Sequence, residues 1–203
     1  MPGTLEIPAN AVGLVLFAHG SGSSRHSVRN RRVAATLRAA RIGTLLFDLL
    51  TPEEEARDAV TAELRFDVAW LAQRLRAATE WAVTSEHAGG LRLGYFGAST
   101  GAAAALIAAA DAAVEIRAVV SRGGRPDLAA EALARVRAPT LLIVGGDDEP
   151  VVALNEEAFA QLRGRKRLEI IPGATHLFEE RGALERVAEL AAAWLAEAFL
   201  SES

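Results

Sequence analysis

Apolar residues along this chain alternate between two patterns. Val12–Phe17 is continuously apolar, the mark of a strand covered on both faces. Further core strands are predicted at Ile42–Asp48, Leu91–Phe96, Ile116–Val120, Pro139–Val144 and Leu168–Ile171, with a short edge strand at Thr4–Ile7. Between them, apolar residues recur at helical spacing. Val33, Leu37 and Ala40 form the inward stripe of a helix over 27–40, and Leu64, Val68, Leu71, Leu75, Ala78 and Ala82 that of a helix over 63–84. Residues 100–112 are apolar on nearly every side and predict a wholly buried helix. Helices also follow at 127–136, 151–162 and 183–200, while 51–55 reads as a polar loop or as a first helical turn with Pro52 near its start. Strands alternating with helices in this way predict a mainly parallel, doubly wound sheet of six to seven strands with helices on both faces. No composition break divides 1–203, which reads as a single domain, and the longest polar gap, 49–62, is too short for a large lid.

Composition narrows the function classes. A chain of 203 residues that is 51% hydrophobic suits one globular core. A formal net charge of -4 gives no strong pull toward nucleic acid or an anionic membrane, so neither is an expected partner. The absence of cysteine excludes disulfides, thiol catalysis and cysteine-ligated metals. No basic segment followed by a long apolar stretch opens the chain, and 102–110 falls short of the roughly 20 residues that span a bilayer. A cytoplasmic protein, monomer or homodimer, is the expectation.

The stretch Leu91–Gly101 runs from strand through small residues into helix, with Gly97-Ala98-Ser99-Thr100-Gly101 at the turn. A G-x-S-x-G segment in that setting is a nucleophile elbow, which exposes the serine hydroxyl above the sheet edge. Ligands of open α/β sheets sit outside the carboxyl ends of the strands. Four such ends here carry chemistry: His19–Ser21, Ser99, Asp147/Asp148 and His176. Serine needs an imidazole to take its proton, and the imidazole needs a carboxylate to fix its tautomer. His176 is the candidate base, and a base that must be neutral makes activity rise with pH through about 6.5. Counting G-x-x-D from Gly145 selects Asp148 as the acid. Asp147 remains the alternative, its other role being a cap on the helix near Pro150. The oxyanion of acyl transfer needs donors. The backbone N–H groups of Thr100 and Ser21 are the candidates, with His19 holding the Ser21 loop through its ring nitrogens. Gly22, Arg25 and Arg122, with Arg125, are candidates for the site mouth, where the arginines would hold an anionic substrate group unless they are ordinary solvated side chains. This chemistry needs no metal or organic cofactor.

The segments His19–Gly22, Gly97–Gly101, Gly145–Asp148 and Gly173–Phe178 together resemble the α/β-hydrolase superfamily, and within it the small lidless bacterial members grouped with dienelactone hydrolase. The resemblance spans the chain from first core strand to last helix. It implies an α/β-hydrolase fold, with Ser99 as nucleophile, Asp148 as acid and His176 as base. Dienelactone hydrolases proper use a cysteine, whereas this chain has a serine, which directs the expectation to cleavage of small carboxylic esters or thioesters through an acyl-enzyme. Ser121–Asp127 also looks like a feature of a bacterial subgroup, with no substrate attached to it.

Two other readings stand beside this one. Gly20-Ser21-Gly22 after a strand, with Asp48 ending the next, outlines a nucleotide-binding oxidoreductase, although Arg25 takes the third glycine position. The fold could also serve as a binding scaffold with the triad idle. Labelling by a fluorophosphonate separates that case from an active serine.

Overall fold

The computed structural model describes residues 2–201. Seven strands form one sheet: β1 (Gly3–Glu6), β2 (Gly13–Ala18), β3 (Ile42–Phe47), β4 (Leu93–Ala98), β5 (Ile116–Arg122), β6 (Thr140–Gly145) and β7 (Lys166–Ile171). Their spatial order is β1-β3-β2-β4-β5-β6-β7, with every pair parallel except β1 against β3. The six helices are α1 (Val28–Ala39), α2 (Pro52–Thr61), α3 (Val68–Thr84), α4 (Thr100–Ala110), α5 (Glu149–Gln161) and α6 (Ala183–Leu200).

Strand alternation sorts two cores. Leu14, Leu16 and Tyr95 face α3 and α4, and Val15, Phe17 and Phe96 face α1 and α6. Strands β2 to β6 are buried along their whole length, which is why they read as apolar runs with no polar alternation. The edge strand β7 begins two residues before its apolar part. Lys166 and Arg167 belong to it, and charge on an edge discourages pairing with another chain.

Three predicted helices differ in detail. The 63–84 pattern splits into a 3-10 turn, Leu64–Phe66, and α3, because Asp67 accepts the Trp70 N–H at 2.9 Å and so caps a new helix. Segment 51–55 opens α2, its start fixed by a reciprocal Thr51–Glu54 capping box. The 127–136 helix is a 3-10 segment, Pro126–Arg135, broken at Ala130. Among the described residues no large lid covers the carboxyl edge of the sheet; α2 and the turn after it are all that 52–66 contributes. No helix of the described residues is long and apolar enough to cross a membrane.

The strand order reverses between β2 and β4, since β3 lies to one side of β2 and all later strands to the other. That reversal opens a crevice at the carboxyl ends. Register brings Ala18 beside Gly97, Ala98 beside Arg122 and Gly145 beside Ile171. The loops after β2, β4, β5, β6 and β7 therefore emerge along one edge.

Candidate active site

Ser99 follows β4 with φ 52° and ψ −124°, a backbone conformation L side chains rarely adopt. Strain of this kind costs on the order of 1–3 kcal/mol and persists only where its surroundings enforce it. Here the enforcement is visible. A Cβ on Gly97 would collide with the Ala102 backbone, and one on Gly101 with the carbonyl oxygen of Ala18. Without those side chains α4 descends directly onto β2 and β4. Both peptide groups of Ser99 are held: its N–H donates to the Arg122 carbonyl at 3.2 Å, and its carbonyl accepts the N–H groups of Ala102 at 3.0 Å and Arg125 at 3.1 Å. Its hydroxyl, by contrast, neither caps α4 nor makes any other hydrogen bond among the described residues.

The loops after β6 and β7 bring a carboxylate to an imidazole. Asp148 Oδ2 lies 2.7 Å from His176 Nδ1, with side-chain exposures of 16% and 38%. Adjacent Asp147 is exposed, and it touches the His176 loop only through its backbone N–H, which donates to the Ala174 carbonyl at 3.0 Å. Of the two neighbouring carboxylates, Asp148 is the one hydrogen-bonded to the His176 ring. An ionised Asp148 draws the imidazole proton to Nδ1, leaving Nε2 with its lone pair and no partner among the described residues. A Cβ built on Gly123 would lie 3.0 Å from the His176 carbonyl oxygen and 3.7 Å from its ring Cε1. Gly123 directly follows Arg122, whose carbonyl holds the Ser99 N–H. Serine and imidazole thus flank the same turn of chain at the end of β5.

His19 plays the structural part its position suggested. It is 8% exposed, its Nε2 accepts the Leu49 N–H at 3.0 Å, and its Nδ1 then donates to the Gly20 carbonyl at 3.0 Å. Burial lowers its pKa, against the Gly20 hydrogen bond and the charges of Asp48 and Glu55, so the ring stays neutral. It ties the loop after β2 to the loop after β3.

Several other candidate residues are engaged by neighbours. The Ser21 N–H is not free in this arrangement, because it donates to Thr100 Oγ1 at 3.0 Å. The Ser21 hydroxyl donates to the Arg65 carbonyl at 3.0 Å, which leaves the Thr100 hydroxyl to donate to Ser21 Oγ. Arg25 is engaged by Asp48 through both its backbone N–H, at 2.7 Å, and its guanidinium. It is therefore not a free anion ligand, and its side chain is only partly exposed. The same pairing occupies the carboxylate that a nucleotide ribose would need. Arg122 is 7% exposed and turns away from the mouth toward Asn30, its Nη2 3.4 Å from Oδ1. Burial and the charge of Arg29 bring its pKa down to about 10. Arg125 makes a bidentate pair with Asp127 at 2.9 and 2.7 Å, which raises its pKa. Arg25 and Asp48, like Arg122 and Asn30, meet across different elements by tertiary packing, which no local pattern announces. Gly22 lines a cavity of about 180 Å³ between the loop after β2 and α2, whose wall includes Ser23, Glu55 and the Asp58–Arg65 ion pair. Among the described residues no group of three or more His, Cys, Asp or Glu side chains is placed to hold a metal ion.

Comparison with known proteins gives the family of the chain. Residues 25–200 match the model of the dienelactone hydrolase family. A crystal structure of a dienelactone hydrolase from Anabaena variabilis is 59% identical, covers 96% of this chain and 90% of its own, and superposes with a TM-score of 0.94. Est1E from Butyrivibrio proteoclasticus shares the fold at a TM-score of 0.81 and 17% identity, over 98% of this chain and 94% of its own. A Mycobacterium tuberculosis protein provisionally named a phosphoribosyl transferase is 58% identical over 192 residues, or 95% of this chain. This chain spans only 42% of that relative's length. The chain is a member of the dienelactone hydrolase family of α/β-hydrolases.

Proposed function

We propose that this chain is a serine hydrolase of small carboxylic esters or thioesters, working through an acyl-enzyme. The observation that carries the reading is the Asp148–His176 hydrogen bond of 2.7 Å set beside a Ser99 held in strained, elbow-type backbone geometry. With Nδ1 on the carboxylate, Nε2 takes the Ser99 proton as Oγ attacks the acyl carbon, and returns it to the leaving oxygen or sulfur as that bond breaks. Asp148 stabilises the imidazolium formed in between. Water, deprotonated by the same nitrogen, then attacks the acyl carbon, and the imidazolium returns the proton to Ser99 Oγ as the acyl–oxygen bond breaks and the acid leaves. The Thr100 N–H at the start of α4 is one oxyanion donor, and the Ser21 N–H becomes the second once Thr100 Oγ1 releases it. Apo hydrogen bonds in such sites commonly tighten only with substrate present.

The transferase name of the mycobacterial relative belongs to a protein more than half of whose length has no counterpart here, and it is not carried over. A fluorophosphonate probe tests the proposal. Stoichiometric labelling of the wild-type protein, lost in Ser99→Ala, is the expected result. A wild-type protein that neither labels nor turns over p-nitrophenyl acetate overturns it.

A further inference from the structure

The segment Ser121–Asp127, which the triad chemistry leaves without a task, lies against both Ser99 and His176. Arg122 and Arg125 hold the two peptide groups of Ser99 through their own backbones. Between them, Gly123 at φ +49° lies against the backbone and ring of His176, and Gly124 lies where a Cβ would meet the Ala102 Cβ at 2.6 Å. This strap has an anchor on another element. The Asn155 side chain, fully buried in α5, donates from Nδ2 to the Gly124 carbonyl at 3.1 Å and to the Val151 carbonyl at 2.7 Å. Its Oδ1 is buried without a partner. A polar side chain in that state is expensive, and an apolar residue of similar size would be tolerated there at least as well on packing alone. Retaining the amide makes sense if the bond to Gly124 does something packing cannot. The same helix begins at Asp148, so α5 grips the imidazole at one end and the strap under the nucleophile two turns later.

We propose that Asn155 is a positioning residue of the hydrolytic site. Through Gly124 it fixes the strap that holds Ser99 in its strained conformation and seats His176 beside it. The proposal rests on the serine-hydrolase reading above. Displacing a nucleophile by a fraction of an ångström lowers the rate of reaction, not ground-state binding, so the signature is in kcat.

The test compares the full-length wild type with Asn155→Leu and Asn155→Thr. Leucine removes both donors. Threonine bonds back to the Val151 carbonyl within α5 but does not hold the strap. Expected for both variants are cooperative thermal melting, a kcat for p-nitrophenyl acetate and a fluorophosphonate labelling rate each lower by about tenfold or more, and a KM within about twofold of wild type. A folded variant whose kcat and labelling rate stay within about twofold of wild type overturns the assignment. So does loss of cooperative melting in both variants, which makes Asn155 a folding residue. Inertness of the wild type is a distinct result and overturns the hydrolase reading itself.

Discussion

The loops after β2 and β7 each place a histidine at the same edge of the sheet, and the two rings are held in opposite ways. Around His19 both nitrogens are occupied by backbone groups and the residue is buried. Around His176 one nitrogen is held by a carboxylate, the other has no partner among the described residues, and the ring is more than a third exposed. An imidazole whose lone pair already accepts a hydrogen bond is a strut. An imidazole whose lone pair is free while its other nitrogen is fixed has the arrangement a general base needs, the role proposed for His176. Position in the sheet does not separate the two; the partners do.

The sharpest way to break this contrast is to remove the ring that has the free nitrogen. His176→Ala is expected to lower kcat/KM for a small ester on the order of 10⁴-fold, since Ser99 then has no proton acceptor. Its unfolding free energy should change by less than about 1 kcal/mol, because the lost pair is partly exposed. Steady-state kinetics and a denaturant melt on one preparation decide it. Retained activity with a damaged fold would exchange the roles of the two histidines.

His19→Ala is expected to give the inverse. It leaves the Leu49 N–H buried without an acceptor, a loss of about 1–3 kcal/mol before any cavity is counted. Activity falls by a smaller factor than in His176→Ala, through the loosened loop that carries Ser21. The pH dependence follows from the direction of the His19 shift. Its folded pKa lies below 6.5, so as pH falls the unfolded chain takes up the proton first. The stabilisation is complete above 6.5 and is lost as pH drops through 6.5 toward the folded value. Urea midpoints of the wild type should decline over that window, and those of His19→Gln should decline less. Equal declines would show that the ring titrates alike in both states.

What could be read from the chain beforehand follows the same division between backbone and partners. The elbow at Ser99, the candidacy of Asp148 and His176, and the strut role of His19 were legible because each sits at a strand end within a few residues of glycine, and strand ends are set by local pattern. The paths of the arginines were not. Arg25 meets Asp48 across two elements, and Arg122 turns inward toward α1, outcomes decided by how helices dock. Asn155 did leave a trace in the sequence. It stands four residues after Val151 and three before Ala158, on the buried stripe of α5, where a polar side chain calls for a partner. Which carbonyl it reaches depends on a loop 31 residues away.

The finest resolution of the contrast lies in two adjacent carboxylates, where sequence spacing favours Asp148 and keeps Asp147 as the alternative. Asp148→Asn keeps a side chain of the same shape beside Nδ1, but its amide can donate to that nitrogen and so favours the tautomer with the proton on Nε2, where the proposed reaction needs a lone pair. That change is expected to lower kcat by about 10⁴-fold. Asp147→Asn is expected to leave kcat within about twofold, because its link to the His176 loop is the backbone N–H on the Ala174 carbonyl, which survives the substitution. The residual effect of Asp147→Asn is electrostatic, the loss of one exposed negative charge near the imidazolium, and added salt should erase it within a Debye length of about 10 Å at 0.1 M. A salt-insensitive loss of activity in Asp147→Asn as large as that in Asp148→Asn would mean that both carboxylates reach the ring during turnover. His176 would then be a base held by a pair of acids and not by one.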